Sequence, residues 1–208
     1  YSRAYQMQVD RQEESVIVTA DCAIVATAKE PIVRLQVKYH LTADGNITLQ
    51  VQGKRNPHLP YLPRFGLRFF LEKDNSQLEY FGYGESESYI DKHHASRLGL
   101  YQTTAEQNHQ DYVKPQENGS HYGCEYLHTQ DLEITAPQPF SFNFSPYTQE
   151  ELTLKKHHYE LEKSPYHILC VDYKMSGIGS NSCGPNLKEG YRINDKEISW
   201  IIQLYMNT

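Results

Sequence analysis

Cysteine is scarce in this sequence, and its basic residues form no cluster. The 208 residues include only four cysteines, and no two of them form a CxxC pair: Cys22, Cys124, Cys170 and Cys183. This scatter argues against a disulfide framework or a zinc site, and it favours reduced thiols and a cytoplasmic location. The formal net charge is -6 at pH 7. A chain of this charge without a basic patch is not expected to bind nucleic acid.

Long apolar runs are also absent. No stretch approaches the roughly 20 residues that span a bilayer, and residues 1–10 lack the pattern of a signal peptide, so we expect no membrane partner. The chain begins with Tyr rather than Met, from which we expect it to be processed or to be part of something longer. Hydrophobic residues make up 38% and charged residues 22% of the chain, as in folded proteins. We predict one domain over residues 1–208.

The apolar residues that are present alternate with polar ones, as in half-buried strands. Residues 33–41 alternate in this way, the turn dipeptide Asp44-Gly45 follows, and the alternation resumes over residues 47–51. Other segments predicted as strands are 16–18, 23–26, 65–71, 140–144, 166–173 and 198–206. Residues 149–156 are predicted as a short helix and residues 82–118 as a long polar loop. The pattern predicts an all-β fold, an antiparallel β-sandwich.

Four segments of the sequence resemble the motifs of a known family. The first motif is residues 62–67 (LPRFGL), the second 83–92 (YGESESYIDK), the third 112–119 (YVKPQENG), and the glycine-rich loop is 177–185 (GIGSNSCGP). Together and in this order they are similar to the C-terminal, small-chain (domain 5) β-sandwich domain of bacterial β-galactosidases, glycoside hydrolase family 2. Two positions depart from the family pattern: Ser86 stands where proline is common, and Cys183 stands where well-known relatives have a tryptophan that stacks on the sugar.

The resemblance implies a fold and a function. The fold would be a galactose-mutarotase-like supersandwich. The catalytic glutamates, with Mg and Na ions, would belong to a (β/α)8 barrel outside this chain, which alone would have no catalytic residues, metal or cofactor. The partners would be the remaining domains or the large subunit, a galactoside such as lactose, and further copies in an oligomer. Because the family's glycine-rich loop reaches over the barrel mouth, Asn181, Ser182 and Cys183 are the predicted substrate-binding residues.

Two other functions stay open at this point. A stand-alone aldose 1-epimerase shares the mutarotase-like fold and needs a His acid and a Glu base in one cleft, for which His121 with Glu125 or Glu85 are the candidates. A free carbohydrate-binding module would instead show an exposed aromatic platform, to which the 17 tyrosines are relevant.

Local clusters of acidic and histidine residues have structural explanations that we favour. Glu85 and Glu87 resemble the carboxylate pair of a retaining glycosidase, which needs a separation of about 5–5.5 Å, but we predict solvated or structural loop residues. The pairs His93-His94 and His157-His158 would point to opposite faces of a strand, so we predict surface or hydrogen-bonded histidines rather than metal ligands. Residues 117–119 have the composition of a turn.

Overall fold

The computed structural model describes residues 1–27, 29–179 and 185–206. The chain is 56% strand and 6% helix, which confirms the predicted all-β, antiparallel sandwich class. The strands in the described residues are β1 (Ser2–Arg11), β2 (Ser15–Ile24), β3 (Val33–Thr42), β4 (Asn46–Arg55), β5 (Arg64–Leu71), β6 (Gln77–Gly84), β7 (Arg97–Thr104), β8 (Ser120–Thr129), β9 (Leu132–Ser145), β10 (His167–Met175) and β11 (Glu197–Met206).

Helices are few and short. The predicted helix is confirmed as α1 (Gln149–Leu154), and it begins where the Thr148 hydroxyl accepts a hydrogen bond from the Glu151 amide. Single turns of 3-10 helix lie at His158–Glu160 and Glu189–Tyr191. In the part of the chain that the structure describes, no helix is long and apolar enough to cross a membrane.

The residues cluster into two compact units. The first comprises Tyr1–Tyr61, Leu132–Gln138 and Asn194–Thr208, and the second comprises Leu62–Asp131 and Pro139–Ile193. The single domain over residues 1–208 stays a prediction.

The first unit contains an antiparallel sheet in the order β1-β2-β3-β4-β11, with the start of β9 beside β11. The hairpin between β3 and β4 turns at Gly45, whose φ of 87° is readily adopted only by glycine. Alternate side chains of β11 are buried, which places Ile198, Trp200, Ile202 and Leu204 in the core. The period-2 pattern of this segment therefore predicts both its strand and its buried face.

In the second unit the strands follow the order β7-β6-β8-β9-β10-β5. Phe140, Phe142 and Phe144 of β9 are fully buried, and the residues between them are buried as well. The first six residues of β10 are likewise buried on both faces. These segments of β9 and β10 therefore form the interior of the second unit.

The prediction of a long polar loop over residues 82–118 is wrong, because β7 and the end of β6 lie within it. On β6 the buried alternate positions include Gly82 and Gly84, which carry no apolar side chain to mark the alternation. On β7 the pattern is inverted, since Leu98 and Leu100 are exposed. Strands β1 and β8 were also not predicted, and the two short runs at 16–18 and 23–26 belong largely to the one strand β2.

Candidate functional site

A half-buried arginine, Arg64, joins the first motif to the third in the second unit. Arg64 donates from Nε to Asp172 Oδ1 at 3.1 Å and from Nη2 to Asp172 Oδ2 at 2.5 Å. Its Nη1 donates to Glu117 Oε1 at 3.0 Å. Burial disfavours the charged guanidinium, but the two carboxylates outweigh this effect and raise the pKa of Arg64 above its ordinary value. Arg64 therefore stays charged and satisfies Asp172, whose side chain is only 2% exposed.

Glu87 joins the second motif to the third. Its carboxylate accepts hydrogen bonds from the Gly119 amide at 2.7 Å, from the Tyr89 hydroxyl at 3.0 Å and from the Tyr112 hydroxyl. The hydrogen bond to Glu87, followed by burial, raises the pKa of Tyr112 to about 12, so this phenol remains a donor at neutral pH. The three donors give Glu87 the structural role that we favoured, whereas Glu85 is exposed.

Asp91 joins the second motif to the start of the glycine-rich loop. Its Oδ1 accepts from the Ile178 amide at 3.1 Å, and its Oδ2 accepts from the Gly179 amide at 2.8 Å. A Cβ on Gly177 would overlap the carboxyl group of Asp91, so glycine is needed for this approach. Gly179 has a φ of 66°, a conformation that other residues rarely adopt. The structure therefore explains both of the first two glycines of the loop, Gly177 by the space that Asp91 occupies and Gly179 by its positive φ.

Ser176, the residue directly before the glycine-rich loop, connects this loop to the first motif. Its hydroxyl donates to the Leu62 carbonyl at 2.6 Å and accepts from the Ile193 amide at 2.9 Å, and its own amide donates to the Pro63 carbonyl at 2.9 Å. The next amide, of Gly177, donates to the Tyr191 carbonyl at 2.8 Å. The four motifs are therefore connected in a closed series, which we call the motif ring, through these pairs: Arg64–Glu117, Gly119–Glu87, Asp91–Gly179 and Ser176–Leu62.

The predicted substrate-binding residues Asn181, Ser182 and Cys183 lie outside the described residues. Their contact with substrate stays a prediction. The described chain stops at Gly179 on one side of them and resumes at Pro185 on the other, and residue Leu187 is again buried.

A polar cleft of about 700 Å³ lies beside the motif ring. Its charged and aromatic lining combines both signs of charge: Glu85, Glu87, Asp91, Lys92, His93, His94, Arg97 and Tyr101. Asp91 and Glu87 of the ring thus form part of its wall. Among the described residues no group of three or more His, Cys, Asp or Glu side chains is arranged to hold a metal ion.

The histidine pair of this cleft differs in geometry from the expectation. His93 and His94 lie in a turn rather than a strand, and their rings stack at 4.8 Å instead of pointing apart. His93 also packs against Tyr122 at 4.9 Å between centroids, and its Nδ1 is 3.0 Å from the Tyr89 carbonyl oxygen. The second pair packs on Tyr159, with the His157 ring stacked on it at 5.1 Å.

His121 is enclosed and neutral. The Asn108 amide group donates to the carbonyl oxygens of Gly119 and Phe144, so its Oδ1 is an acceptor. His121 Nε2, at 2.7 Å from this oxygen, must therefore carry the ring proton, which leaves Nδ1 to accept from the Tyr80 hydroxyl at 2.9 Å. Burial lowers the pKa of His121 to about 4. An imidazole that is 1% exposed and satisfied at both nitrogens does not fit the acid of the epimerase alternative.

Comparison with known proteins matches the motifs to one family. The sequence profile described as "Beta galactosidase small chain" matches residues 2–204. The chain belongs to the beta-galactosidase small-chain family. The beta-galactosidase of Actinobacillus pleuropneumoniae is 59% identical over 197 residues, which cover 95% of this chain and 20% of that protein. The beta-galactosidase of Staphylococcus xylosus is 35% identical over 207 residues, which cover 98% and 21%.

This member of the beta-galactosidase small-chain family spans about a fifth of the length of these curated relatives. Among solved structures, a putative aldose 1-epimerase from Escherichia coli K12 aligns with a TM-score of 0.39 and 11% sequence identity, covering 98% of this chain and 69% of that one.

The sequence does not reveal the bonding role of two acids that build the site of this small-chain family member. Asp172 was hidden in the predicted strand 166–173, although a lone acid among buried apolar residues is itself a signal of a buried partner. Asp91 gave no such signal, because the amides that it binds lie 87 and 88 positions away in the sequence. Arg64, Asp91, Glu117 and Gly177 all lie within the four motifs.

Proposed function

We propose that this chain is a non-catalytic C-terminal domain of a β-galactosidase that hydrolyses terminal β-D-galactosides such as lactose. In this role it supports the catalytic barrel and contributes the glycine-rich loop to the galactose site. The partner is the remaining, larger part of the enzyme, where the two catalytic glutamates and the Mg and Na ions would reside.

The observation that carries this proposal is the motif ring. The first and second motifs hold the start of the fourth, with Leu62, Pro63 and Asp91 all bonded to residues 176–179. The far side of the loop is anchored as well, since Leu187 is buried and Tyr191 bonds to Gly177. A loop with both ends fixed loses less conformational freedom when it contacts a ligand, and this favours affinity. The anchoring of this loop therefore supports its assignment to the sugar site.

The proposal is tested in the intact β-galactosidase that contains this chain. Replacing Asn181, Ser182 and Cys183 together by alanine should raise the KM for lactose while the melting temperature stays within about 1 °C. The matched control replaces residues 12–14, an exposed hairpin turn of the first unit, by three alanines and should leave KM unchanged. An unaltered KM in the loop variant would remove the loop from the galactose site.

A separate variant tests Cys183, because this residue stands where well-known relatives have a tryptophan. A thiol offers no ring face for stacking, and stacking of an aromatic ring contributes on the order of 1 kcal/mol beyond area burial. Cys183→Ala should therefore change galactoside affinity by less than about tenfold, or 1.4 kcal/mol. A thousandfold loss of kcat would instead assign the thiol a chemical role.

A further inference from the structure

We propose that Asp91 is a positioning residue for the galactoside site, because its carboxylate fixes the stem of the glycine-rich loop. This inference rests on the proposed function of that loop. It adds a specific cause for the loop's placement, one aspartate more than 80 positions away in the sequence.

The geometry assigns this role to both oxygens of one carboxylate. Oδ1 and Oδ2 take the successive amides of Ile178 and Gly179, at 3.1 and 2.8 Å. Hydrogen bonds to an ionised acceptor are stronger than neutral ones, and two adjacent bonds fix direction as well as distance. Asp91 thus binds the amide of Gly179, the last described residue before the predicted substrate-binding residues. One position separates Gly179 from Asn181.

The residue types around Asp91 agree with this assignment. Gly177 does not have a left-handed φ, so its backbone would accept alanine, and the three atoms nearest to an added Cβ all belong to the carboxyl group of Asp91. Gly179, by contrast, has a φ of 66°. The carboxyl group of Asp91 therefore explains why residue 177 is a glycine. The positive φ explains why residue 179 is a glycine.

Asp91 itself is held in place from its own side of the cleft. The Tyr89 amide donates to the Lys92 carbonyl, and the Lys92 amide donates to the Tyr89 carbonyl, both at 2.9 Å, which closes a tight turn around Asp91. Upstream, Glu87 ties the same motif to the Gly119 amide. A residue that acts through another must be rigid, and these bonds supply that rigidity.

The test uses the intact β-galactosidase with two measurements for each variant. Hydrogen–deuterium exchange of the peptide that contains Ile178 and Gly179 reports the stem, and the KM and kcat for lactose report the site. Asp91→Ala should speed exchange of these amides at least tenfold and raise KM at least threefold, with a smaller change in kcat. Asp91→Asn keeps one carbonyl acceptor and the side-chain volume, and it should give an intermediate effect in a well-folded enzyme.

Gly177→Ala supplies a second, independent comparison. Alone it should displace Asp91 and reproduce the Asp91→Ala effects. Combined with Asp91→Ala it should add less than about twofold to KM, because the overlapping carboxyl group is then gone. The control is Glu189→Gln, which removes an exposed charge two positions before Tyr191, the residue whose carbonyl accepts from the Gly177 amide. It should change neither measurement.

The outcomes separate the inference from the proposed function. Unchanged exchange in Asp91→Ala overturns the positioning role. Faster exchange with an unchanged KM supports the positioning of the stem and overturns the loop's part in the galactoside site. Additive effects of Gly177→Ala and Asp91→Ala would overturn the assignment of Asp91 as the reason for the glycine.

Discussion

At the scale of single residues, burial decides which protonation state the fold requires. His121 is fully enclosed between Tyr80, Asn108 and the Phe142 ring, and its pKa is lowered from 6.5 to about 4 by burial. The folded chain therefore excludes a proton that the unfolded chain binds once the pH is below 6.5. The stabilisation is fully present above pH 6.5 and is lost as the pH falls from 6.5 to about 4, by about 3 kcal/mol in total.

His121→Gln should weaken this part of the acid sensitivity. Glutamine keeps an amide donor for Asn108 but does not titrate, so the variant should be less stable at pH 7 and should lose less stability between pH 6.5 and 4. Urea unfolding of both proteins across this range measures the difference, and the exposed His58→Gln serves as the control. If the unfolding free energies of His121→Gln and the parent fall equally as the pH is lowered, the loss of stability does not come from His121.

A second prediction at this scale concerns the buried charge of Asp172. Arg64→Met leaves this carboxylate without its partner, and breaking a buried ion pair costs about 3–5 kcal/mol of unfolding free energy. Arg68→Met, four residues along the same strand, is the control, because its partner Glu150 is 62% exposed and such pairs contribute about 0–1 kcal/mol. Denaturant titration should show a larger loss of unfolding free energy for Arg64→Met than for Arg68→Met. The double variant Arg64→Met, Asp172→Asn should recover part of the loss.

At the scale of secondary-structure elements, the sequence predicts the strands in which buried apolar residues alternate with polar ones over several positions. The hairpin of β3 and β4 and the alternation of β11 follow directly from the residues. Strands β6 and β7 do not, because glycines on β6 and exposed leucines on β7 depend on neighbours that the local pattern does not contain. The motif ring has the same limit. All of its residues except Ser176 lie within the motifs, but the pairs that close it connect distant parts of the chain.

Gly66 provides a prediction about strand pairing. On β5 it lies opposite Asp172 of β10, and a Cβ there would overlap the Val171 carbonyl oxygen and the backbone of Asp172. Gly66→Ala should therefore separate the two strands locally and lower the melting temperature by several degrees. Gly190→Ala is the matched control, since nothing lies within 4 Å of its added Cβ. Similar melting temperatures for the two variants would contradict the close approach of β5 and β10.

At the scale of the whole molecule, the fold determines what this chain is expected to lack. Neighbouring strands in the described residues pair antiparallel, whereas a (β/α)8 barrel needs parallel strands that alternate with helices. Glu87 is occupied by three donors. We therefore expect no hydrolysis of lactose or a chromogenic galactoside by the purified chain. Turnover that disappears in Glu85→Gln or Glu87→Gln would revive a local carboxylate pair.

The complementary prediction concerns association with the rest of the enzyme. The proposed accessory role implies a larger partner, since the chain spans about a fifth of the length of its curated relatives. Every residue of β1 is exposed, and Tyr5, Met7 and Val9 follow each other on one face with 53%, 64% and 55% exposure. An apolar row of this kind on an edge strand is typical of a surface that a partner covers.

Mixing the chain with the remaining part of the β-galactosidase should therefore give a complex at micromolar concentration and raise galactosidase activity above that of either part. Met7→Gln combined with Val9→Thr should weaken the complex at least tenfold, because it removes apolar surface that association would bury. The control, Gln6→Ser with Gln8→Ser, alters the opposite face of the same strand and should bind as the parent does. Gel filtration and activity are read from the same mixtures. Full association of the Met7 and Val9 variant would remove β1 from the interface, and no association of the parent would contradict the accessory role itself.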